Sequence, residues 1–386
     1  MRPLRILHVS QPVEGGVAVY LAQAALDQQR RGWEVAVACP AAGGLPRRLA
    51  GHGIAHLPWE ATRAPSPAAL GEAAALGRIV QRVAPDVVHL HSAKAGLAGR
   101  LLPPRTPARI VFQPHGWSWL AASPAHAAAS VRWERWAARR TDLLVCVGEG
   151  ERELGVRHGV RGPLTVIRNG VDLTRFRYVP VTARRRAREE LALPPDGPLA
   201  VCVGRVTRQK GQDVLLAAWP LVRRRCPDAR LALVGDGDRL GPLRDRRPGP
   251  DGGDGVLFVP AVADTRPWLA AADVVTMPSR WEGLPLAALE AMATGRPLVA
   301  SDIPGLAEVV GPATGGLVPP EDPEALADAL AHRLLSPERA EREGMAAAEA
   351  ATRFDAGVTL DRLAEATQSI TAATAFAASL VQAGHA

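Results

Sequence analysis

The chain has 386 residues, 47% of them hydrophobic, and a formal net charge of +7. This length is too great for one ordinary core and suits two domains, and the hydrophobic content excludes a disordered chain. The positive charge fits phosphate-bearing small molecules or an anionic membrane surface better than nucleic acid, because the arginines are spread along the chain, only 4% of residues are aromatic, and no nucleic-acid-binding motif is present.

Short, nearly all-apolar runs rich in β-branched residues alternate with helical patterns along the chain. Such runs are typical of parallel strands buried on both faces, so the alternation predicts two doubly wound α/β domains. The predicted strands lie at 5–10, 34–40, 86–92, 109–115, 142–148, 164–170, 199–206, 230–237, 255–262, 273–279, 296–302 and 315–320. Helices are predicted after most strands, for example at 17–32 and 211–226, and a final alanine-rich helix begins at 355.

The predicted domains are residues 1–175 and 176–355, with an interdomain cleft. The helix at 356–386 is expected to pack back toward the first domain and complete it. The boundary is placed within 171–198 because this stretch loses the strand pattern, contains an arginine-rich run and ends in proline and glycine. The charged run itself is interpreted as a solvated helix.

Cysteine usage and hydropathy indicate the compartment. The four cysteines are scattered with neither metal-ligand nor disulfide spacing, which is typical of buried free thiols. No apolar run reaches the ~18 residues that a membrane span needs, and the N-terminal segment is too short and strand-like for a signal peptide. A cytoplasmic protein is therefore expected.

Two loops that follow predicted strands are candidates for phosphate binding. Gly15 and Gly16 close the first loop just before a helix, where the backbone can approach an anion closely. Arg205 and Lys210 follow the first strand of the second domain, and a planar guanidinium with a lysine point charge suits a diphosphate. Taken alone, each loop is equally consistent with an ordinary turn. The near match to G-x-G-x-x-G at 233–241 is interpreted as a tight strand-to-helix turn, because its third glycine comes one position late.

The stretch PSRWEGLPLAALEAMATGRPLVASDIPGLAEVV at 278–310 combines a loop carboxylate with a helix carboxylate. Pro285 is predicted as the first helical residue, which leaves the backbone N–H groups of 283–287 for a ligand. Glu282 precedes the helix start, and Glu290 lies roughly 8 Å beyond Pro285 at ~1.5 Å per residue. The apolar neighbours of Glu290 predict a buried helix, in which an unpaired carboxylate is costly. This layout suits a nucleotide sugar, whose phosphates lie between two hydroxyl-bearing groups.

The sequence resembles the retaining glycosyltransferases of family GT4, which have the GT-B fold of two facing Rossmann-like domains. The resemblance rests on the E-x7-E motif in EGLPLAALEAMATGRPLVASDIPG, the GR…KG loop, VGDG, NGVD and the N-terminal GG. These motifs extend over residues 4–355, and their combination is what makes the resemblance specific.

The resemblance implies roles for individual residues. Arg205 and Lys210 would bind the donor diphosphate, Glu290 the ribose, and Glu282 the hydroxyls of the transferred sugar. His115 in FQPHGW would line the sugar site near the reacting carbon, which completes a catalytic set of His115, Glu282, Arg205 and Lys210. The implied donor-binding set is Gly15, Gly16, Arg205, Lys210, Gly283, Leu284, Leu286, Ala287 and Glu290. The family's Phe-x-Gly segment is replaced by FVPA at 258–261, which bears on the choice of nucleobase.

The implied activity is transfer of a hexosyl or N-acetylhexosaminyl group, with retention, from a nucleoside diphosphate sugar to a hydroxyl acceptor. A UDP-sugar is the favoured donor, and the acceptor is a glycan, a lipid-linked sugar or a small molecule. No cofactor and no metal is expected, because Arg205 and Lys210 would meet the charge on the leaving phosphate. The alternatives are a sugar-nucleotide 2-epimerase of the same fold and a non-catalytic nucleotide-sugar-binding protein. The sequence does not indicate an oligomeric state.

Two further segments bear on the acceptor. Acceptor specificity is expected to depend on loops at 91–100 and 117–129, where the tryptophans of WSWL suit sugar stacking and core packing equally. The predicted helix at 130–142 carries Trp133 and Trp136 among arginines, a pattern that also occurs at anionic membrane surfaces. A packed helix with inward tryptophans and solvated arginines is the preferred interpretation, and peripheral membrane contact is the alternative.

Overall fold

The structure is a computed structural model that describes residues 2–62, 68–103, 106–245 and 255–383. It divides into two compact units. Unit 1 comprises Met1–Asn169 with Gly357–Ala386, and unit 2 comprises Gly170–Ala356. The sequence predicts the first of these divisions after residue 175.

Unit 1 is built on a seven-stranded sheet in the order β3-β2-β1-β4-β5-β6-β7, with parallel pairing throughout the described strands. Its strands are β1 Arg5–Ser10, β2 Glu34–Cys39, β3 Ala55–Pro58, β4 Val87–His91, β5 Arg109–Gln113, β6 Leu143–Cys146 and β7 Leu164–Val166. Its helices are α1 Gly15–Arg30, α2 Gly44–Leu49, α3 Ala69–Val83, α4 Ser92–Arg100, α5 Pro124–Ala137, α6 Glu149–Arg157 and, beyond unit 2, α15 Ala356–Ala383. The strand order reverses between β1 and β4, so their carboxyl ends form a crevice of the kind that binds ligands in such sheets.

Unit 2 repeats the design with a six-stranded parallel sheet in the order β10-β9-β8-β11-β12-β13. Its strands are β8 Leu199–Val203, β9 Arg230–Val234, β10 Val256–Val259, β11 Val274–Met277, β12 Leu298–Ser301 and β13 Gly315–Val318. Its helices are α7 Arg184–Glu190, α8 Gln212–Arg225, α9 Leu240–Asp245, α10 Arg266–Ala271, α11 Leu286–Ala293, α12 Pro304–Ala307, α13 Pro323–Leu334 and α14 Pro337–Ala351. The corresponding reversal falls between β8 and β11, and the loops after these two strands carry most of the predicted site residues.

The predicted α/β class with two doubly wound sheets is confirmed. All twelve predicted strands are present, and the apolar runs of most of them are buried in the sheets, the exceptions being the half-exposed β7 and β10. One further strand was not predicted: β3, a four-residue strand at the edge of the first sheet with no fully buried residue. The final helix is also confirmed as α15. Its Asp361 pairs with Arg31 at 2.5 Å, and its Thr359 hydroxyl donates to the Arg168 carbonyl at 2.8 Å, both within unit 1.

The arginine-rich run around α7 is not simply solvated, so that interpretation is wrong in part. Arg188 is 5% exposed, and its guanidinium donates to Asp273 Oδ2 at 2.7 Å and to the Gly197 carbonyl at 2.9 Å. Arg184 pairs with the other oxygen of Asp273. The same carboxylate accepts from the Leu199 backbone N–H at 2.7 Å. The run therefore anchors the starts of β8 and β11.

Residues 91–100, expected to form a loop, are the end of β4 and the buried helix α4. Within α4, Lys94 pairs with Glu72 at 2.7 Å and Arg100 pairs with Glu134 at 2.7 Å. All four side chains are at most 6% exposed, so α4 is a packed element of unit 1. The tryptophans of WSWL also pack inward, with their rings stacked at 4.6 Å.

Helix α5 turns a different face inward from the one expected. Its buried residues are Glu134 and Ala137, while Trp133 is half-buried and Trp136 is 42% exposed. The prediction of inward packing is therefore wrong for Trp136. The guanidinium carbon of Arg140 lies 5.3 Å from the centroid of the Trp136 ring. In the part of the chain that the structure describes, no helix combines the length and apolar content needed to cross a membrane.

Candidate active site

The loop between β8 and α8 is pressed against the loop between β11 and α11. Gly211 has a left-handed backbone with φ 68°, and a Cβ there would lie 1.9 Å from the Pro278 carbonyl oxygen. Only glycine permits this approach. The Arg280 backbone N–H also donates to the Gln209 carbonyl at 2.8 Å. The contact places Lys210, at the end of the first loop, beside Glu282 in the second.

Lys210 and Glu282 form an ion pair with 2.6 Å between Nζ and Oε1. Both side chains are largely buried, at 17% and 7% exposure. Ser279 Oγ donates to the same carboxylate oxygen at 2.8 Å, and Gln209 Nε2 approaches the other at 3.4 Å. Both residues belong to the predicted catalytic set, Lys210 for the diphosphate and Glu282 for the sugar hydroxyls, but their pairing was not predicted. The pairing fixes the lysine ammonium and the carboxylate in place before any ligand binds.

Arg205 is the second predicted cation of this loop. It is half-buried, its guanidinium lies 3.5 Å from Gln209 Oε1, and its carbonyl accepts from Gln212 Nε2 at 3.0 Å. Gln209, one residue before Lys210, thus lies between the Arg205 guanidinium and the carboxylate of Glu282.

The VGDG segment is confirmed as a strand-to-helix turn. Cβ atoms on Gly235 and Gly237 would lie 2.1 Å from the Gly204 carbonyl oxygen and 2.2 Å from the Val206 carbonyl oxygen. These glycines let the turn after β9 pack directly on the backbone of the cation loop. Their part is to support the loop that carries Arg205.

Helix α11 begins one residue later than predicted, with Pro285 as its N-cap. The Pro285 carbonyl accepts from Ala288 and Leu289, so the first-turn N–H groups of Leu286 and Ala287 lack an intrahelical partner. The side chain of Leu286 is only 9% exposed, and Leu284 is 2% exposed. A ligand at this helix end would therefore meet backbone groups rather than leucine side chains.

Glu290 lies on α11, where its neighbours Leu289 and Ala291 are fully buried. Its own side chain is half-buried. Gly283, before the helix, is held by Gly305, since a Cβ on Gly305 would lie 1.9 Å from the Gly283 carbonyl oxygen. The predicted residues from 282 to 290 thus share one packed loop-and-helix segment of unit 2.

The predicted glycines of unit 1 belong to α1 itself rather than to the loop before it. The helix begins at Gly15, which has φ 73°, and both Gly15 and Gly16 are exposed. The preceding Glu14 does not cap the helix and instead accepts from the Gly44 N–H at 2.6 Å. The start of α1 consequently offers bare backbone to solvent.

His115 follows β5 in unit 1 and has a left-handed backbone with φ 53°. Such a conformation is uncommon outside glycine and marks a constrained position. Glu151, 4% exposed, holds the turn by accepting from the N–H groups of Gly116 at 2.5 Å and Val147 at 2.7 Å. His115 is therefore held firmly at the carboxyl end of its strand.

A cluster of buried histidines behind His115 was not predicted. His8, His89 and His91 are at most 1% exposed, and His89 stacks on His91 at 4.1 Å. Burial lowers the pKa of His8 to about 4 and that of His115 to about 3, and it holds the pKa values of His89 and His91 well below the usual range. All four are neutral at pH 7. The sequence signal that could have predicted this cluster is the occurrence of histidines within otherwise apolar strands, at alternate positions in β4.

Ring nitrogens of His8, His89 and His91 lie within 4.8 Å of one another, which is close enough to hold a metal ion. Hydrogen bonds already engage these rings. His8 Nδ1 lies 3.0 Å from His91 Nε2, and His89 Nε2 lies 3.1 Å from Gln113 Oε1. A metal would have to displace both bonds, so the geometry favours a hydrogen-bonded cluster.

The predicted site residues thus form two groups, one in each unit. Unit 2 brings together the cation loop, Glu282 and the start of α11, and unit 1 holds His115 and the glycines of α1.

Two protein-family models match the chain. Residues 14–175 match a model described as Glycosyltransferase Family 4, and residues 197–336 match one described as Glycosyl transferases group 1. The first match lies in unit 1 apart from its last six residues, and the second lies in unit 2 and contains the paired Lys210 and Glu282.

Two sequence relatives agree with these family matches, and a solved structure shares the fold. The D-inositol 3-phosphate glycosyltransferase of Streptomyces griseus is 32% identical over 305 residues, which is 70% of this chain and 64% of that protein. The UDP-Gal:alpha-D-GlcNAc-diphosphoundecaprenol alpha-1,3-galactosyltransferase of Escherichia coli is 30% identical over 243 residues, or 60% of this chain and 61% of that protein. The chain therefore spans less than two thirds of either relative. Anabaena HepE, solved in complex with UDP and glucose, has a TM-score of 0.81 at 22% identity and covers 95% of this chain and 100% of its own.

Two Rossmann-like parallel-sheet units of this kind define a protein of the GT-B fold class. Family matches in both units and the sequence relatives narrow the class further. The chain belongs to glycosyltransferase family 4.

Proposed function

We propose that the protein is a retaining glycosyltransferase that moves a hexosyl or N-acetylhexosaminyl group from a nucleoside diphosphate sugar to a hydroxyl acceptor. The Lys210–Glu282 pair at the start of α11 is the observation that carries the proposal. It sets a cation for phosphate beside a carboxylate for sugar hydroxyls. The name of the Escherichia coli relative and the UDP complex of HepE support a UDP-sugar as donor, and the first also supports a lipid-linked acceptor. A lipid-linked acceptor would suit peripheral membrane contact through the exposed Trp136 face of α5.

This reaction requires above all that the negative charge developing on the leaving diphosphate be stabilised. Arg205, Lys210 and the first-turn N–H groups of α11 would stabilise that charge as it develops, which is often the largest single contribution to catalysis. Because Lys210 is held by Glu282 in advance, little reorganisation is needed when the donor binds. In this proposal these groups replace a metal ion, and no cofactor takes part.

The carboxylate of Glu282 is committed to hydrogen bonds. Its Oε1 atom accepts from both Lys210 and Ser279, at 2.6 and 2.8 Å, which reduces its strength as a nucleophile. A covalent glycosyl intermediate would need a free carboxylate at the anomeric carbon. We therefore favour attack by the acceptor hydroxyl on the face from which the phosphate leaves. The bond from C1 to the phosphate oxygen breaks, the bond to the acceptor oxygen forms, and the hydroxyl proton passes to the leaving phosphate.

A thermal-shift screen against UDP-, GDP- and dTDP-sugars tests the donor. A ligand at 100 times its Kd stabilises the folded state by about 2.7 kcal/mol, which a melting curve resolves. The UDP-sugar is expected to raise Tm most. The stabilising donor is then incubated with and without glycan and lipid-linked acceptors, and the product's anomeric configuration is read by NMR.

The outcomes separate the candidate functions. Sugar transfer with retention supports the proposal, and inversion contradicts the mechanism. A change of the sugar without acceptor would indicate a 2-epimerase, and binding without turnover in any mixture would indicate a non-catalytic protein. The absence of any shift with all three nucleotides would remove the donor assignment.

Replacing Glu290 with glutamine is expected to raise KM for the donor about tenfold to a hundredfold and to change kcat little. A hydrogen bond from a ribose hydroxyl to a carboxylate is worth roughly 1.5–3 kcal/mol, and the ribose is bound equally in the ground and transition states. Initial rates over a range of donor concentration measure the split. Glu324→Gln, an exposed helix glutamate in unit 2, is the control. An unchanged donor KM in Glu290→Gln would remove the ribose role.

A further inference from the structure

We propose that Gln28 sets the tautomer of His115 through His8 and His91, so that Nδ1 of His115 accepts a hydrogen bond from a substrate hydroxyl. The inference rests on the proposed function and on the place near the sugar that the family resemblance implies for His115. It assigns to a buried glutamine of α1, 2% exposed, a positioning role at the site.

A continuous line of hydrogen bonds joins the four side chains. Gln28 Oε1 lies 2.8 Å from His8 Nε2, His8 Nδ1 lies 3.0 Å from His91 Nε2, and His91 Nδ1 lies 3.1 Å from His115 Nε2. The register of the sheet makes this line possible, because β1 and β4 are neighbours and His91 ends β4 opposite Ser10. Each imidazole inside the line uses both of its ring nitrogens.

A neutral imidazole has one N–H donor and one lone-pair acceptor. The Gln28 carbonyl oxygen can only accept, so His8 carries its proton on Nε2 and accepts at Nδ1. His91 must then donate from Nε2 and accept at Nδ1 in turn. His115 donates from Nε2, which leaves Nδ1 as an acceptor. Nδ1 of His115 has no hydrogen-bond partner among the residues that the structure describes.

The line transmits a tautomer only while every ring is neutral, because an imidazolium would donate from both nitrogens and break it. The buried environment of His8 and His91 meets this condition at neutral pH. A neutral His115 with a low pKa is also a poor base. Its function would therefore be to recognise a hydroxyl by accepting its hydrogen bond, and not to remove a proton.

The orientation of one amide decides the whole line. If the Gln28 NH2 group faced His8, every bond in the series would reverse and Nδ1 of His115 would donate instead. An N–H at Nδ1 would favour an oxygen that only accepts, such as a carbonyl or phosphate oxygen, and could not accept a hydrogen bond from a hydroxyl. The buried end of α1 would in this way select what His115 can bind.

Nitrogen-15 NMR of the full-length protein labelled at histidine tests the tautomers without any donor. At pH 7.5 the ring nitrogens of His8, His91 and His115, assigned by single substitutions, are expected to show a protonated Nε2 and a bare Nδ1. Gln28→Met removes the oxygen acceptor, so His115 is expected to become a mixture of tautomers. Gln113→Met is the matched control, because it removes the buried glutamine that bonds His89 outside the line and leaves His115 unchanged.

Three NMR results would overturn the proposal. They are a protonated Nδ1 on His115 in the unaltered protein, a His115 tautomer that does not respond to Gln28→Met, and simultaneous shifts of His8, His89 and His91 with one equivalent of Zn²⁺. The last would indicate a metal site instead. The first result is measured on the unaltered protein, so the proposal can be refuted even if a variant folds poorly.

Activity separates this inference from the proposed function. Loss of one neutral hydrogen bond corresponds to about a tenfold lower kcat/KM in Gln28→Met, whereas the control Gln113→Met is expected to stay within about twofold of the unaltered protein. If no nucleotide sugar is bound or turned over while the tautomers are as predicted, the proposed function fails and the line remains. If transfer occurs but Gln28→Met and Gln113→Met behave alike, the line is wrong and the proposed function stands.

Discussion

Replacing Lys210 with methionine is expected to lower kcat/KM for glycosyl transfer by a factor of about 10²–10³, the range found when one preorganised group facing a developing charge is removed. Methionine keeps the length of the side chain and removes the charge that would meet the leaving phosphate. The loss should appear mainly in kcat, because the charge on the phosphate oxygen grows toward the transition state. Initial rates at saturating acceptor measure it.

The control must separate charge at the site from charge on the loop. Arg208→Met removes an exposed cation two residues away in the same loop, and its effect on kcat/KM is expected to stay within about twofold, since an exposed cation interacts weakly. Lys210→Met also leaves Glu282, 7% exposed, without its cation. The double variant Lys210→Met/Glu282→Gln removes that buried charge and should recover stability without recovering activity. Full activity in Lys210→Met would refute the role of this lysine.

Lowering the pH from 7 to 5 is expected to destabilise unit 1 by several kcal/mol. Burial depresses the pKa of His8 to about 4 and holds those of His89 and His91 well below the usual 6.5. In this window the unfolded chain binds protons that the folded state does not, so the free energy of unfolding falls as the pH falls. At about 1.4 kcal/mol per pKa unit, His8 alone accounts for about 2 kcal/mol between pH 7 and 5.

The stability from these histidines is fully present above about pH 6.5 and is lost as the pH falls toward the folded-state pKa values. Carboxyl groups with lowered pKa values, such as Glu72 and Asp172, act nearer pH 4 and contribute little here. Urea titrations at pH 7, 6 and 5, with hydrogen exchange of peptides from β1 and β4, would measure the loss in unit 1. His89→Gln should make the free energy of unfolding depend less steeply on pH, by the contribution of one histidine. His52→Gln, at an exposed position, should leave this dependence unchanged. A flat profile between pH 7 and 5 would contradict the prediction.

The predicted site was recognisable in sequence where its parts are local. Gly211 comes directly after Lys210, and Glu282 and Glu290 share one loop-and-helix segment, so their spacing carries the information. The pairing of Lys210 with Glu282 joins residues 72 positions apart. No local pattern records such a pair, because it depends on β8 and β11 lying side by side in the sheet.

Buried charge was the least predictable feature. A run of arginines suggests a solvated helix, yet Arg188 bonds Asp273, which lies 85 positions away in the chain. Lys94 and Arg100 of α4 are likewise buried with carboxylate partners. Burying a charged side chain is costly unless an oppositely charged partner and hydrogen-bonding groups are present at the buried position. The partner comes from another element, so composition alone assigns these residues to the surface.

The fold class, the order of the strands along the chain and the loops that carry the site follow from the amino-acid sequence alone, since burial on both faces demands apolar runs and tight turns demand glycine. What only the tertiary structure decided is which polar groups meet inside. His8, His91 and His115 lie in three separate segments, and they form one line only because the parallel sheet sets β1, β4 and β5 side by side. Hydrogen bonds act over about 3 Å, and distance along the chain does not determine distance in space.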